Sequence, residues 1–245
     1  MYELHRKSKT NVGDAFCNPS RYFEFPNIKT VDIMRAPDVK GDTIIVGGGG
    51  LIHNKFGPKI AELVDRADKS ILWAIGHNFS KKAERKHTNS IWYPEYTSKA
   101  SLAGIRDVGK FYLPCVSCMH PAFNKNYTST HDYVYFTHHF KSKFDQADVP
   151  HMTNAEMDFD KVISFLASGD TIITDSYHGA YWGQLLGKNV QVVSWSVKFN
   201  YMKHTPHYVT SINEQPIYIK NSVSGFLEEC KDYNKKFYQK VLDIL

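Results

Sequence analysis

The fold is decided by TIITDSYHGAYWGQLLGKNVQVVSW, residues 171–195. Thr171 to Asp175 is a short β-branched run with the length and composition of a buried strand. The turn SYHG follows, then a helix through Ala180 to Leu186, then Gly187 where a helix ends in the left-handed conformation, and VQVVSW returns as a second strand. A strand, a helix and a strand in this order make a parallel unit, which sets SYHG at the carboxyl edge of a sheet, where open α/β folds bind ligands. The start of a helix offers unpaired amides and partial positive charge to a phosphate or carboxylate. His178 beside it can move a proton near neutral pH. The competing reading makes Ser176 a plain N-cap and His178 a packed first-turn residue.

The same alternation extends outward. TIIVGGGGLIH (Thr43 to His53) reads as a buried strand ending in a glycine turn, Ile60, Leu63, Val64 and Ala67 fall on one helix face, and SILWAIGH (Ser70 to His77) is the next strand. Asn124 to Asp132 is polar and divides the chain into two halves, residues 1–128 and 129–245. Beyond it Tyr133 to Phe140 opens a new strand, and Phe159, Val162, Ile163 and Leu166 share a helix face. Val223, Phe226, Leu227, Cys230, Phe237, Val241 and Leu245 mark a closing helix that packs across both halves. The expected architecture is α/β, with two Rossmann-like halves.

Bulk properties narrow the function. The 245 residues are 42% hydrophobic and 22% charged, and no stretch reaches the ~18 apolar residues of a membrane span. MYELHRKSKTNVGD has no apolar run behind its basic residues, so no secretory signal is expected, and four scattered cysteines suit a reducing, cytoplasmic address. The net charge of +5 is spread along the chain, with a small cluster at Lys81, Lys82, Arg85 and Lys86. That fits small anionic ligands, and nucleic acid is not an expected partner. Cys115 and Cys118 have metal spacing without a second pair, so buried thiols and no metal site are expected. His138 and His139 are expected on opposite faces of a strand.

Four further motifs can carry chemistry. NVGD (Asn11 to Asp14) is a tight turn whose backbone can approach a phosphate or sugar, or a turn with no further role. Gly47 to Gly50 let the main chain come close to a ligand, without the spacing of a dinucleotide fingerprint. Arg106, at the end of another strand beside Asp107, can clamp an anion in bidentate fashion, and Lys198 can reach one.

Taken in order, NVGD, GGGGLIH, GIRDVG, PCVSC and TDSYHGAYWGQLLGK with VKF behind it resemble the polysaccharide pyruvyltransferase family, from about Asn11 to Phe199. The resemblance implies a compact GT-B-like arrangement with a cleft between an acceptor-side first half and a donor-side second half. It implies transfer from phosphoenolpyruvate, as co-substrate with no other cofactor, onto two hydroxyls of a cell-surface glycan precursor, giving a pyruvate ketal and phosphate. His178 then assists as general acid or stabilises the departing phosphate. Arg106, Ser176, Tyr177, Gly179 and Lys198 hold the donor; Asn11, Asp14, Gly48, Gly49 and Gly50 hold the acceptor. A lipid-linked acceptor would bring the protein to the membrane surface without a transmembrane segment. Tyr177 stands where many relatives carry arginine or leucine. Asp14, Asp107 and Asp175 are unranked as general base. A nucleotide-sugar glycosyltransferase and a non-catalytic sugar- or anion-binding module are the alternatives.

Overall fold

In the computed structural model, residues 1–79, 92–141, 143–146, 148–214 and 216–245 are described. The basic cluster Lys81, Lys82, Arg85 and Lys86 lies outside them. Apolar runs buried on both faces form the centres of two parallel sheets, which is why they read as continuous hydrophobic segments instead of alternating ones. The first sheet holds β1 (Tyr2–His5), β2 (Lys29–Asp32), β3 (Thr43–Ile52), β4 (Lys69–His77) and β5 (Leu102–Ile105), in the order β2-β1-β3-β4-β5. The second holds β6 (His131–Thr137), β7 (His151–Thr153), β8 (Gly169–Thr174), β9 (Asn189–Val193) and β10 (His207–Val209), in the order β10-β9-β8-β6-β7. Every pairing between these strands is parallel. This is a mixed α/β fold with two Rossmann-like halves.

The two sheets share one topology. In each, the second strand pairs outside the first and the third pairs on its other side, so the chain reverses direction across the sheet between β1 and β3, and again between β6 and β8. Such switch points leave a crevice at the carboxyl ends of the strands, where the loops diverge.

The helices follow from their apolar stripes. Among the described residues these are α1 (Val12–Ala15), α2 (Gly57–Arg66), α3 (Glu95–Lys99), α4 (Phe159–Ala167), α5 (Tyr177–Leu185) and α6 (Phe226–Ile244). In α2, Ile60, Leu63 and Val64 are buried; in α4, Asp158 caps the amide of Lys161 while Phe159, Val162, Ile163 and Leu166 face the core. Every residue of α5 is buried, as expected of a helix without a polar face. Gly187 ends it at φ +67°. Among the described residues no helix is long and apolar enough to cross a membrane.

The last helix joins the halves. Phe226 and Cys230 pack in the second-half core with Phe136 and Trp182, while Phe237 and Val241 pack in the first with Ile45, Ile71 and Trp73. Between them Asn234, fully buried, accepts from Trp73 Nε1 at 2.9 Å and donates to the Pro114 carbonyl at 3.1 Å. Burying Phe226, Phe237 and Val241 contributes roughly 1.5–3 kcal/mol each.

Two expectations are corrected. The glycines are not a turn after a strand: β3 runs through them to Ile52, with a register shift against β4 between Gly49 and Ile52. Glycine is needed because β3 passes close to the Cys17 backbone; a Cβ on Gly48 would lie 2.7 Å from the Cys17 carbonyl oxygen. His138 and His139 lie beyond the end of β6 at Thr137, so strand alternation does not govern them, and their rings stack at 5.2 Å with an interplanar angle of 6°.

Candidate functional site

Both switch points open onto one cavity of about 160 Å³. The first half contributes Asn11 and Asp14 from the segment after β1, Gly50 at the end of β3, Asn78 after β4 and Arg106 after β5. The second half contributes His138 after β6, Asn154 after β7, Ser176, Tyr177 and His178 after β8, and Trp195 and Lys198 after β9.

His178 is the second residue of α5. Ser176 caps that helix by accepting from the Gly179 amide at 3.4 Å, which leaves the first-turn amides of Tyr177 and His178 without intrahelical partners. The His178 ring is held between halves. Its Nε2 is 3.7 Å from Cys115 Sγ, its ring lies 5.1 Å from that of Trp182, and its other side rests on Gly13. A Cβ on Gly13 would meet Nδ1 at 2.1 Å, so the glycine of NVGD exists to admit this ring. Burial, then the charges of Arg106 and Lys198, hold the imidazole well below its ordinary value. That direction favours the neutral ring.

Arg106 is admitted in the same way. A Cβ on Gly76 would lie 2.3 Å from Arg106 Nε, and the guanidinium stacks 3.9 Å over the Tyr177 ring. Tyr177 is thus the platform for a cation reaching in from the first half. Arg106 is 3% exposed, and its guanidinium donates from Nη2 to the His77 carbonyl at 3.4 Å and has a buried Nε with no partner. Five donors with so few acceptors suit an anionic ligand. Beneath it, Asp107 Oδ2 accepts from the His77 amide at 2.7 Å and lies 2.8 Å from His77 Nδ1, which fixes the carbonyl that Arg106 uses.

Lys198 sits on a 3₁₀ turn, Val197–Phe199, tied to the first half because Ser196 Oγ donates to the Phe79 carbonyl at 2.7 Å. Its ammonium lies 3.9 Å from the centre of the Trp195 ring. Burial and the neighbouring Arg106 bring its pKa down to about 7, against the opposing pull of Asp14 and Asp175. Asn11 both caps α1, accepting from the Gly13 amide at 3.1 Å, and donates to Asp14 Oδ2 at 3.1 Å. Burial pushes the Asp14 carboxyl up, opposed by Arg106 and Lys198.

Of the acceptor-side candidates, Asn11, Asp14 and Gly50 line the cavity, while Gly48 and Gly49 do not: Gly48 is pressed against the Cys17 backbone, and Gly49, at φ +96°, lies where a Cβ would meet Cys17 Sγ at 3.5 Å. Of the donor-side candidates Gly179 does not line it either. Its hydrogen faces Thr174 Oγ1 and Phe136, where a Cβ would come within 2.5 Å, so its role is close packing of α5 on the sheet. Among the three carboxylates, Asp14 lines the cavity, Asp107 is engaged by His77 and Asp175 Oδ1 accepts from the His138 amide at 2.6 Å. Sequence reasoning missed Asn78, His138, Asn154 and Trp195, which reach the pocket through topology. The contact-making glycines Gly13 and Gly76 were visible at strand and turn ends, but their partners were not.

No protein-family model and no curated protein matches this chain. A solved structure, described as that of a functionally uncharacterized protein from Klebsiella pneumoniae, is similar with a TM-score of 0.47 and 13% identity over 86% of this chain and 93% of that one.

Proposed function

We propose that this chain is a phosphoenolpyruvate-dependent pyruvyltransferase that places a pyruvate ketal on a sugar of a cell-surface glycan or its precursor. The observation that carries the reading is the convergence of Arg106, Lys198 and the start of α5 on one small polar cavity that also holds His178 and Asp14. The motif order read from the sequence supplies the identity of the donor. The halves then correspond to a GT-B-like arrangement, with residues 1–128 on the acceptor side, 129–245 on the donor side, and the pocket as the cleft between them. At about 160 Å³ the cavity suits a three-carbon phosphate ester better than a nucleoside-diphosphate sugar, since sites for drug-sized ligands run from ~300 Å³ upward.

The chemistry follows from charge. The donor's carboxylate and phosphate are held by Arg106, Lys198 and the first-turn amides of α5, fixed groups that need no reorganisation as charge shifts. Burial comes first in holding the His178 imidazole neutral, with Arg106 and Lys198 adding to it; the donor's negative charge offsets those two cations, so donor binding raises the ring's proton affinity and lets it act as an acid. A proton delivered to the donor's methylene carbon leaves an oxocarbenium-like centre at the adjacent carbon. A sugar hydroxyl adds there as Asp14 takes its proton, the C–O bond to phosphate breaks, and a second hydroxyl closes the ketal, its proton leaving with phosphate. Asp14, buried with a raised proton affinity, is suited to accept a proton near neutral pH.

Purified protein given phosphoenolpyruvate with galactose- or N-acetylmannosamine-type acceptors, nucleotide- or lipid-linked, should release phosphate and form a ketal. No phosphate and no ketal across the panel would sink the reading. Stabilisation by nucleoside diphosphates with none by phosphoenolpyruvate would replace it with glycosyl transfer.

A further inference from the structure

The sequence PCVSC (Pro114 to Cys118) brings one of its sulfurs to the centre of the site. Cys115, 1% exposed, precedes a 3₁₀ turn, Val116–Met119, and its carbonyl accepts from the Tyr181 hydroxyl at 2.8 Å. That bond ties the segment to α5, the helix that carries His178. Cys115 Sγ lies 3.7 Å from His178 Nε2 and 3.3 Å from Ser117 Oγ, within reach of the long, weak hydrogen bonds of a thiol. Cys118 faces elsewhere: its sulfur accepts from Asn234 Nδ2 at 3.5 Å.

Counting protons fixes the direction of these bonds. Trp182 Nε1 can only donate, and it gives its proton to Ser117 Oγ at 2.9 Å. Ser117 is fully buried, and among the described residues the Cys115 sulfur is the acceptor left for its hydroxyl proton. The thiol proton, turned away from Ser117, has the His178 Nε2 lone pair to meet. Only the direction Trp182 to Ser117 to Cys115 to His178 gives every donor in the chain an acceptor. In the neutral ring that burial favours, a nitrogen that accepts carries no proton, and the hydrogen bond at one ring nitrogen decides the state of the other. The proton is thus on Nδ1, the nitrogen beside Gly13, in the turn from which Asn11 and Asp14 enter the cavity.

We infer that Cys115 is a positioning residue: its thiol holds His178 in the tautomer whose proton sits on Nδ1, the nitrogen left to meet a ligand. The tautomer rests on the hydrogen-bond chain alone; its use in transfer rests on the pyruvyl-transfer reading. The neutral and the charged ring both carry a proton on Nδ1, so the hydrogen bond offered to the donor is in place before the ring gains charge. Once the ring is charged, Nε2 becomes a donor as well. The sulfur, which also accepts, takes that bond when the thiol proton turns aside. An apolar group in place of the thiol does neither.

Proton–nitrogen correlation spectra of the full chain with nitrogen-15-labelled histidine test it, the His178 signals being those lost in His178→Gln. Without ligand at neutral pH, wild-type His178 should show a protonated Nδ1 and an unprotonated Nε2. Cys115→Val and Cys115→Ala both remove the thiol, the first with little change in volume. In each, signals of the ring protonated on Nε2 should appear, and kcat for phosphate release from phosphoenolpyruvate should fall about tenfold or more, part of the ~10²–10⁴-fold that general acid catalysis supplies. Ser117→Ala is the structural control. It orphans Trp182 Nε1 and should lower Tm, yet the thiol still has Nε2 to donate to, so the tautomer should stay. The inference is overturned if the wild-type ring is protonated on Nε2, or if both cysteine variants keep the wild-type tautomer. A shifted tautomer with kcat within twofold of wild type would overturn its part in transfer. A shifted tautomer with no phosphoenolpyruvate turnover by the wild type would leave Cys115 as the residue that sets the ring and remove the transfer reading.

Discussion

Gly13→Ala isolates the contact that joins the two halves at His178. The residue lies in α1 with ordinary helical backbone, where alanine would normally stabilise by about 0.5–1 kcal/mol. Here the new Cβ would stand 2.1 Å from His178 Nδ1, and ordinary contact begins at 3.4 Å, so the ring has to give way by about 1.3 Å. Trp182 and Cys115 close two of its other sides, so the ring can yield only toward the cavity, out of its place beside Cys115. Overpacking of this kind costs ~1–3 kcal/mol, which outweighs the helix gain. With a mid-range net cost of about 1–1.5 kcal/mol, the expected fall in Tm is roughly 2–6 °C for a chain of this size. A displacement of about 1 Å at a reacting group costs on the order of 10²-fold in rate. Phosphate release from phosphoenolpyruvate measures that loss, and a thermal melt measures the strain. Gly169→Ala is the control, because a Cβ there meets Val134 at 2.8 Å, at the far end of β8, and should lower Tm without changing kcat. If Gly13→Ala keeps kcat within twofold and melts no lower than wild type, the account of His178 is wrong.

Gly76→Ala should displace the Arg106 guanidinium and raise the donor KM at least tenfold with little change in kcat, read from initial-rate kinetics. Donor affinity should fall about tenfold per pH unit above about 7 as Lys198 loses its charge, and Lys198→Arg, always charged, should abolish that slope in a calorimetric titration from pH 6 to 9. Because the folded-state pKa of Lys198 lies below the unfolded one, the burial penalty is complete below about pH 7 and relaxes as pH rises toward 10.5. Lys198→Met should therefore raise Tm most at pH 6 while abolishing donor binding. Asp14→Asn should keep or tighten donor binding, the pocket becoming more positive, yet lower transfer by ~10²–10⁴-fold; an unchanged rate would show that another group takes the hydroxyl proton.

The local pattern around Thr171–Trp195 was enough to give the parallel unit, because β-branched strands, a capped helix start and a glycine helix end are short-range features. It also placed Ser176, Tyr177, His178 and Lys198 at the right edge. β1, β2 and β10 were not legible: each is three or four residues long, with no room for periodicity to show. The glycine run was misread because its reason is tertiary. Whether four glycines turn or continue a strand depends on the Cys17 backbone passing over Gly48, a contact between residues 31 positions apart. Likewise Tyr177 could not reveal from sequence that its ring carries the Arg106 guanidinium, since the two come from different sheets.

The joining role of α6 bears on how the protein is made. Ile45, Ile71 and Trp73 leave the ribosome early in synthesis, yet Phe237 and Val241, which pack with them, are made roughly 160 to 200 residues later. Until then the first half carries an open aromatic face, and Trp73 Nε1 lacks the Asn234 oxygen it bonds in the finished fold. A chain stopped before residue 226 therefore keeps Phe23 and Phe25 against Trp73 but lacks both the apolar cover of Phe237 and the oxygen that satisfies the indole, so the first half is complete only once the last helix has docked.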